Sequence, residues 1–232
     1  MFITLEGIDG CGKSTQARRL HALMLDAGID SMLNVDPGGT ELGKRLRQLV
    51  LDPTIDMDPW VQALVFTAAR ADAAKRIRRH IDAGGTAISD RWGLSTIVYQ
   101  CIAQGIDRKL IDTVTSSSFL YGVSPSLQII MSIEPITAFE RREARSGPPT
   151  IGNCTAPSQA ACRKALQDRF ESKGAEFFAK LHAGYQSLGS MPNTVVVDVE
   201  GFSEEVVTSM LVSIIVEHEP RLAKLAEVVG TA

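Results

Sequence analysis

The feature that most constrains the fold is a glycine-rich octapeptide close to the start of the chain. Residues 7–14 read Gly-Ile-Asp-Gly-Cys-Gly-Lys-Ser and match the pattern G-x-x-x-x-G-K-[ST] at every fixed position. The short run Phe2–Glu6 before it is typical of a buried strand, and a helical pattern follows from about Lys13 to Ala27. The order of strand, glycine loop and helix favours an α/β fold whose loop binds phosphate groups.

The chemistry of this loop explains its pattern. Gly7, Gly10 and Gly12 permit backbone conformations that turn successive N–H groups toward one point, where they bind a polyphosphate with the positive end of the helix. Lys13 supplies a positive charge for the β- and γ-phosphates, and Ser14 supplies a hydroxyl ligand for Mg²⁺. We therefore expect a nucleoside triphosphate as ligand and a Lys13 side chain that faces solvent.

Further apolar runs of strand length alternate with helical segments. We expect additional strands at Ser31–Val35, Thr86–Ser89, Leu127–Ile133 and Thr194–Val199, and long helices at about Glu41–Leu51 and Pro59–Ala83. Strands separated by long helices require crossover connections, so the sequence predicts a five-stranded, mostly parallel sheet with helices on both faces. The last strand is so rich in β-branched residues that we expect it away from a solvated sheet edge.

Length and composition limit the domain organisation. A chain of 232 residues with 44% hydrophobic residues fits one domain, residues 1–232. The one compositional break, Ser146–Gln159, is rich in Pro, Gly, Ser and Thr and predicts a mobile lid segment at residues 146–167 within that domain.

Charge and cysteine use exclude several classes of protein. The balance of 24 basic and 27 acidic residues gives a net charge of −3, which argues against nucleic acid as a partner. We see neither a secretory signal nor an apolar run long enough to span a membrane, so we expect a cytoplasmic protein without a membrane partner. Cysteines 11, 101, 154 and 162 form no C-x-x-C pair, and we expect free thiols rather than a zinc site or disulfides.

Two further motifs suggest how a second substrate is bound. Asp90 and Arg91 follow the third strand directly, where a carboxylate can hold the magnesium shell and an arginine can bind a second phosphoryl group. Phe66 and Arg70 lie four residues apart on one helix face, so a ring and a guanidinium can together contact a base. The plainer alternatives are a surface ion pair and a core phenylalanine beside an arginine that extends to solvent.

Arginines also flank the predicted lid. Arg141, Arg142 and Arg145 precede it, and Arg163 and Arg169 lie at its far end. Such side chains can close over phosphates and neutralise charge that develops during transfer, although solvated surface charges would give the same pattern.

Several segments resemble the bacterial type of thymidylate kinase over nearly the whole chain. They are EGIDGCGKSTQ from Glu6, DPGGTELGKRLRQLVLD from Asp36, VFTAARADAA around Arg70, SDRWGLSTIVYQ from Ser89 and QDRFES around Arg169. The resemblance implies the P-loop nucleoside monophosphate kinase fold and ATP- and Mg²⁺-dependent conversion of dTMP to dTDP. It also implies small-molecule nucleotide substrates and a homodimer.

The resemblance further implies a set of site residues. The donor ATP is expected to contact Gly7, Asp9, Gly10, Cys11, Gly12, Lys13, Ser14, Thr15, Arg141 and Arg145. The acceptor is expected to contact Asp9, Pro37, Phe66, Arg70, Arg91, Thr96, Tyr99 and Gln100. Ser14 and Asp90 are the expected contacts of Mg²⁺ and its water shell, and Lys13, Arg91, Arg145 and Asp9 are the expected catalytic residues.

Individual roles follow from the same resemblance. Phe66 would stack on the pyrimidine, Arg70 would donate to its O4 atom, and Arg91 would bind the acceptor phosphate. Tyr99 would fill the place of a ribose 2′-hydroxyl. Because the loop itself has no arginine, the lid would supply one, with Arg145 as first choice and Arg141 and Arg169 next.

One departure from the family pattern affects the acceptor. Where such kinases usually read Arg-Glu-Pro-Gly-Gly-Thr, this chain has Val35 and Asp36 before Pro37, and Lys44, Arg45 and Arg47 are the candidates to replace the missing arginine. The alternatives to thymidylate kinase activity are a kinase for a modified or different nucleoside monophosphate and a non-catalytic ATP-binding switch. A switch would need the phosphate loop but not the other motifs together.

Overall fold

A sheet of five parallel strands forms the centre of the protein. The computed structural model describes residues 1–116, 120–146, 169–170 and 173–230, with the backbone alone at 145 and 146. The strands are β1 (Phe2–Glu6), β2 (Ser31–Val35), β3 (Thr86–Asp90), β4 (Leu127–Ser132) and β5 (Thr194–Asp198). Their order is β2-β3-β1-β4-β5, and each pair of neighbours is parallel.

Helices connect these strands. They are α1 (Lys13–Asp26), α2 (Glu41–Leu51), α3 (Pro59–Asp82), α4 (Gly93–Thr96), α5 (Arg108–Thr115), α6 (Pro135–Ser146), α7 (Gly174–Ser187), α8 (Glu204–His218) and α9 (Lys224–Gly230). A π-helical segment, Ile97–Ile102, continues α4, and a 3₁₀ turn, Pro220–Leu222, precedes α9. No end of a predicted strand or long helix differs from the observed end by more than one residue. The predicted α/β architecture is confirmed.

The predicted position of β5 is wrong. This strand forms an edge of the sheet beside β4, and its Val196 is 37% exposed. Val197 on the same strand is buried in the core. Because β-branched residues favour any pleated, half-buried surface, their density does not reveal where a strand lies in the sheet.

The register of the central strands positions the candidate site. Leu5 of β1 and Val35 of β2 both pair with Asp90 of β3, so these three strands end at the same level. The phosphate loop follows β1, and residues 36–40 follow β2 at the same edge. Helix α3, whose N-terminus is capped by the Asp58 carboxylate, places its side chains above that edge.

The predicted lid, residues 146–167, lies outside the described residues apart from the backbone of Ser146. Cys154, Cys162 and Arg163 are likewise outside them, and the two described cysteines, Cys11 and Cys101, are free thiols. No helix in the described part of the chain has the length and apolar character needed to cross a bilayer.

Candidate active site

A cleft of about 250 Å³ opens at the carboxyl ends of β1, β2 and β3. Its lining consists of Asp9, Gly10, Gly12, Lys13, Ser14, Asp36, Pro37, Arg47, Leu51, Phe66, Arg70, Arg91, Ser95, Thr96, Tyr99, Gln100, Arg142 and Phe170. All eight residues predicted to contact the acceptor are among these. We call this space the acceptor cleft.

A second cavity of about 520 Å³ lies on the β4 and β5 side of the phosphate loop. Its lining consists of Gly10, Cys11, Gly12, Thr15, Gln16, Met131, Arg141, Ala144, Val199, Phe202, Ser203, Glu204 and Val207. The predicted donor residues are thus divided between the two spaces. Gly7 and Asp90 line neither of them, and the side chain of Arg145 lies outside the described residues.

The phosphate loop adopts the conformation that its glycines predict. Gly10 and Gly12 have φ angles of 99° and 100°, in the left-handed region that side chains disfavour. A Cβ atom at Gly10 would collide with the Ala138 carbonyl of helix α6, so this position admits only glycine.

The expectation that Lys13 faces solvent is wrong. Its residue surface is 4% exposed, and its Nζ atom donates to the carbonyl oxygen of Ile8 at 2.7 Å. The backbone of the loop surrounds the amine, and a buried ammonium group requires such an acceptor. The charge therefore lies within the loop that we expect to bind phosphate.

Arg91 lines the acceptor cleft and contacts the phosphate loop. Its Nη1 atom donates to the Gly7 carbonyl at 2.9 Å, and its Nη2 atom lies 2.5 Å from Asp9 Oδ1. The guanidinium carbon is 5.3 Å from the centre of the Tyr99 ring. Burial acts to raise the pKa of Asp9, but the charges of Arg91 and Lys13 outweigh it and hold that pKa well below its usual range. Asp9 is therefore ionised at neutral pH.

Arg70 lines the acceptor cleft and is held there by partners from two other segments, the loop after β2 and helix α4 with its N-cap. Its guanidinium pairs with Asp36 and donates to the Trp92 carbonyl at 3.2 Å and to Thr96 Oγ1 at 2.9 Å. Its Nη1 atom has no hydrogen-bond partner among the described residues. Because the residue is only 1% exposed, the alternative of an arginine that extends to solvent is wrong.

Gln100 and Phe66 line the acceptor cleft together with Arg70. Gln100 is 1% exposed, and both polar atoms of its amide lack a partner in the described part of the chain. Phe66 is half-buried, with its ring centre 6.2 Å from that of Phe170. Buried polar groups are normally hydrogen-bonded, so these unpaired atoms indicate a ligand with complementary donors and acceptors.

Arg47 is the candidate that reaches the acceptor cleft in place of the missing family arginine. Its Nη1 atom donates to the Pro37 carbonyl at 3.2 Å. Lys44 and Arg45 instead pair with Glu41 on an exposed face of α2. All three residues lie within four positions of the sequence. Their different positions around helix α2 explain why only Arg47 reaches the cleft.

The arginines of α6 divide between the two spaces. Arg142 lines the acceptor cleft, with its guanidinium carbon 5.2 Å from the centre of the Phe178 ring, whereas Arg141 lines the second cavity. Consecutive residues lie on different faces of a helix, which explains this division. Sequence reasoning did not assign Arg142 to the acceptor side.

Arg169, a candidate lid arginine, contacts the segment at and just after the end of α2. Its side chain donates to the carbonyl oxygens of Val50 at 2.9 Å, Asp52 at 2.7 Å and Ile55. Its backbone N–H donates to the Leu51 carbonyl at 3.0 Å. The last carbonyls of a helix lack partners within the helix, and Arg169 supplies donors to this end of α2.

Comparisons with known proteins agree with this geometry. The family model for thymidylate kinase matches residues 5–210. The thymidylate kinase of Chlorobium limicola is 36% identical over 186 residues, which cover 80% of each chain. That of Ruegeria pomeroyi is 35% identical over 192 residues, which cover 81% of each chain.

A solved structure supports the fold. The crystal structure of thymidylate kinase from Ehrlichia chaffeensis superposes with a TM-score of 0.67 and 23% identity, covering 94% of this chain and 98% of that one. The phosphate loop, the acceptor cleft and the sequence matches over most of the chain lead to the same assignment. The chain belongs to the thymidylate kinase family.

Proposed function

We propose that this protein transfers the γ-phosphoryl group of ATP to the phosphate of dTMP, which yields ADP and dTDP. The observation that carries the proposal is that one cleft brings together two kinds of side chain. Lys13 and Ser14 of the phosphate loop line it, and so do Phe66, Arg70 and Gln100. An ATP-dependent switch requires the first group only.

The unpaired atoms of Arg70 and Gln100 support a thymine base. Arg70 Nη1 can donate to O4, and the Gln100 amide can accept from N3–H. Cytosine has an amino group at C4 and no hydrogen on N3, so it would set donor against donor at C4 and acceptor against acceptor at N3. Phe66 offers a ring on which the base can stack.

The sugar and phosphate of the acceptor are proposed to bind closer to the loop. Arg91 and Arg47 provide guanidinium groups for the phosphate. The Tyr99 hydroxyl donates to Asp9 Oδ2 at 3.2 Å and accepts from Arg91 at 3.3 Å. A phenol fixed in this way supports selection of deoxyribose, because a 2′-hydroxyl would compete for its space.

The donor is proposed to bind with its polyphosphate on the loop and its adenosine in the second cavity. Gly7, Gly10, Gly12 and the other loop residues offer backbone N–H groups to the polyphosphate. Arg141 and the exposed ring of Phe202 line the adjoining cavity and offer flat surfaces to an adenine. Cys11 and Thr15 line the same cavity next to the loop.

The residues present fit Mg²⁺. The Ser14 hydroxyl donates to a carboxylate oxygen of Asp90, so two oxygen ligands of the kind that Mg²⁺ prefers are adjacent. No three His, Cys, Asp or Glu side chains gather into a metal site within the described ranges, which suits an ion that keeps waters and substrate phosphates as ligands. When bound, Mg²⁺ would neutralise charge on the transferring phosphoryl group.

The chain's own contribution to transfer is positional and electrostatic. The acceptor phosphate oxygen is already nucleophilic, so we assign no general base. Lys13 and Arg91 both line the acceptor cleft and would provide fixed positive charge to the reacting groups. We propose Arg145 as the lid arginine because it lies one helical turn beyond Arg141 and Arg142, which line the two spaces.

We also propose a homodimer located in the cytoplasm, where its nucleotide substrates occur. Four large apolar side chains on the neighbouring helices α2 and α3 support an interface: Leu42, Leu49, Val61 and Leu64 are each more than 40% exposed. Sedimentation of the purified protein tests this, and a monomer at micromolar concentration would contradict it.

The decisive experiment on activity is an assay of ADP release with ATP, Mg²⁺ and a panel of acceptors. The panel contains dTMP, dUMP, dCMP and the ribonucleotide of thymine. We expect rapid turnover with dTMP, slower turnover with dUMP and the ribonucleotide, and almost none with dCMP. ATP binding without ADP release that depends on dTMP would favour the switch and refute the proposal.

A further inference from the structure

The hydroxyl of Tyr185 lies behind Arg91, on the side away from the acceptor cleft. Tyr185 belongs to α7, is 2% exposed and does not line the cleft. Its oxygen is 2.9 Å from Arg91 Nη1 and 2.8 Å from Ser95 Oγ. The proposed substrate contacts leave this buried hydroxyl without a role.

Glu6 lies at the other end of the same cluster. It is fully buried at the end of β1, where Oε1 accepts from the backbone N–H of Trp92 at 2.8 Å. Its Oε2 atom accepts from Ser95 Oγ at 2.6 Å. Glu6 therefore receives the single hydroxyl proton of Ser95.

The number of available hydrogens determines which groups donate and which accept in this cluster. Because Ser95 donates its proton to Glu6, it can only accept in its contact with Tyr185, and Tyr185 must donate. The lone pairs of the Tyr185 oxygen then face Arg91 Nη1, whose two hydrogens are shared among the Tyr185 oxygen, Ser95 Oγ at 3.1 Å and the Gly7 carbonyl. The hydrogen bonds run from Arg91 through Tyr185 and Ser95 to the Glu6 carboxylate.

Arg91 needs such support. Its φ angle is 70°, in the left-handed region that non-glycine residues seldom adopt, and its side chain is long and flexible. The cluster holds Nη1 from one side, while Asp9 holds Nη2 from the other. A guanidinium fixed before the ligand arrives loses less conformational entropy when it binds.

We propose that Tyr185 and Glu6 are positioning residues that fix the guanidinium of Arg91 for the phosphate of the acceptor. The inference rests on the proposed function, since it assumes a nucleoside monophosphate in the cleft. It assigns to α7, which follows the predicted lid in sequence, an indirect part in phosphate recognition.

The test compares Tyr185→Phe with the wild type. The substitution keeps the ring and removes the hydroxyl, so a hydrogen bond to a charged group is lost, and we expect kcat/KM for dTMP to fall ~10-fold. The inhibition constant of thymidine and the KM of ATP should stay within about twofold, since neither ligand carries the acceptor phosphate that Arg91 is proposed to bind. Tyr121→Phe is the matched control, because Tyr121 is 56% exposed and outside the cluster.

Glu6→Gln tests the direction of the hydrogen bonds. The new amide group would face either Ser95 Oγ or the Trp92 N–H, and both of these donate in the wild type. We expect Glu6→Gln to cause the same selective loss of dTMP affinity. In the double variant, the fold-loss should be smaller than the product of the two single losses, because both substitutions act on one cluster.

Three results would decide the matter. Unchanged kinetics in a folded Tyr185→Phe protein would overturn the inference. Equal weakening of thymidine binding and dTMP binding would also overturn it, since that outcome would indicate that Tyr185 has a general structural role. A wild-type protein that does not phosphorylate dTMP would refute the proposed function instead.

Discussion

Arg70 and Asp36 form an ion pair in which Arg70 Nη2 lies 2.6 Å from Asp36 Oδ2, with 1% and 2% of their side-chain surfaces exposed. Arg70 Nε donates to the same oxygen at 2.8 Å. One partner belongs to α3 and the other to the loop after β2. The arginine proposed to read the base is thus oriented by a carboxylate from a separate segment of the chain.

Removal of Asp36 should destabilise the protein strongly. Asp36→Ala leaves the Arg70 charge buried without its counterion, which typically costs ~3–5 kcal/mol in the free energy of unfolding. Urea unfolding measures the difference. Asp82→Ala is the control, because Asp82 pairs with Arg78 at half-exposed positions and such pairs contribute about 1 kcal/mol or less. Equal effects of the two substitutions would contradict the buried pair.

Phe66→Ala should weaken binding of the acceptor and leave binding of the donor nearly unchanged. Loss of stacking on a base costs ~1–3 kcal/mol, so the KM of dTMP should rise while that of ATP stays nearly constant. Phe202→Ala should show the reverse selectivity, because Phe202 lines the second cavity. Steady-state kinetics with each substrate varied in turn provide the measurement, and a Phe66 effect shared by both substrates would assign that ring to the core.

Lys13→Met should abolish most phosphoryl transfer. The methionine keeps an apolar stem in the buried position but removes the charge, so we expect kcat to fall ~10²-fold or more, as when a catalytic donor is deleted. Its melting temperature should stay close to that of the wild type. Normal turnover in the folded variant would exclude Lys13 from catalysis.

Arg169→Ala should act on stability and acceptor affinity together. It removes the side-chain donors to three carbonyls at and just after the end of α2, and the adjacent Phe170 lines the acceptor cleft. We expect a lower melting temperature and a higher KM for dTMP, with kcat at saturation nearly retained. A fall in kcat alone would support Arg169 as a lid arginine.

Arg145→Ala should lower kcat and leave stability and substrate affinity nearly unchanged. If Arg145 meets charge that develops only during transfer, kcat should fall ~10²-fold while the KM of ATP changes by no more than several-fold. Because the predicted lid follows it directly, the melting temperature should barely change. An unchanged kcat would shift the assignment to Arg142, which lines the acceptor cleft.

The sequence predicted what depends on local pattern. The predicted strands and the helices α1, α2 and α3 match the observed ends to within one residue, because periodicity and the Gly and Pro residues near many of these ends are local signals. The acceptor residues lie together because their motifs follow strands that end at one edge. Only the likeness to known kinases, however, indicated what each of them binds.

What the sequence did not predict depends on contacts between distant residues. Ser95 and Tyr185 are 90 residues apart, and Arg169 and Val50 are 119 apart. No spacing rule connects such pairs, so neither the cluster behind Arg91 nor the role of Arg169 was visible. The edge position of β5 belongs to the same class, since it arises only when the strands assemble. The burial of Lys13 instead arises within the loop, whose Ile8 carbonyl is only five residues away.

Among the described residues, the acceptor cleft and the second cavity have only Gly10 and Gly12 in common. These glycines supply backbone rather than side chains, so the two walls are free to diverge separately. Substitutions near β2 and α3 would act on the proposed monophosphate site, while substitutions after β5 would act on the proposed triphosphate site. Natural variants and engineered enzymes can therefore exchange one specificity while the other is inherited unchanged.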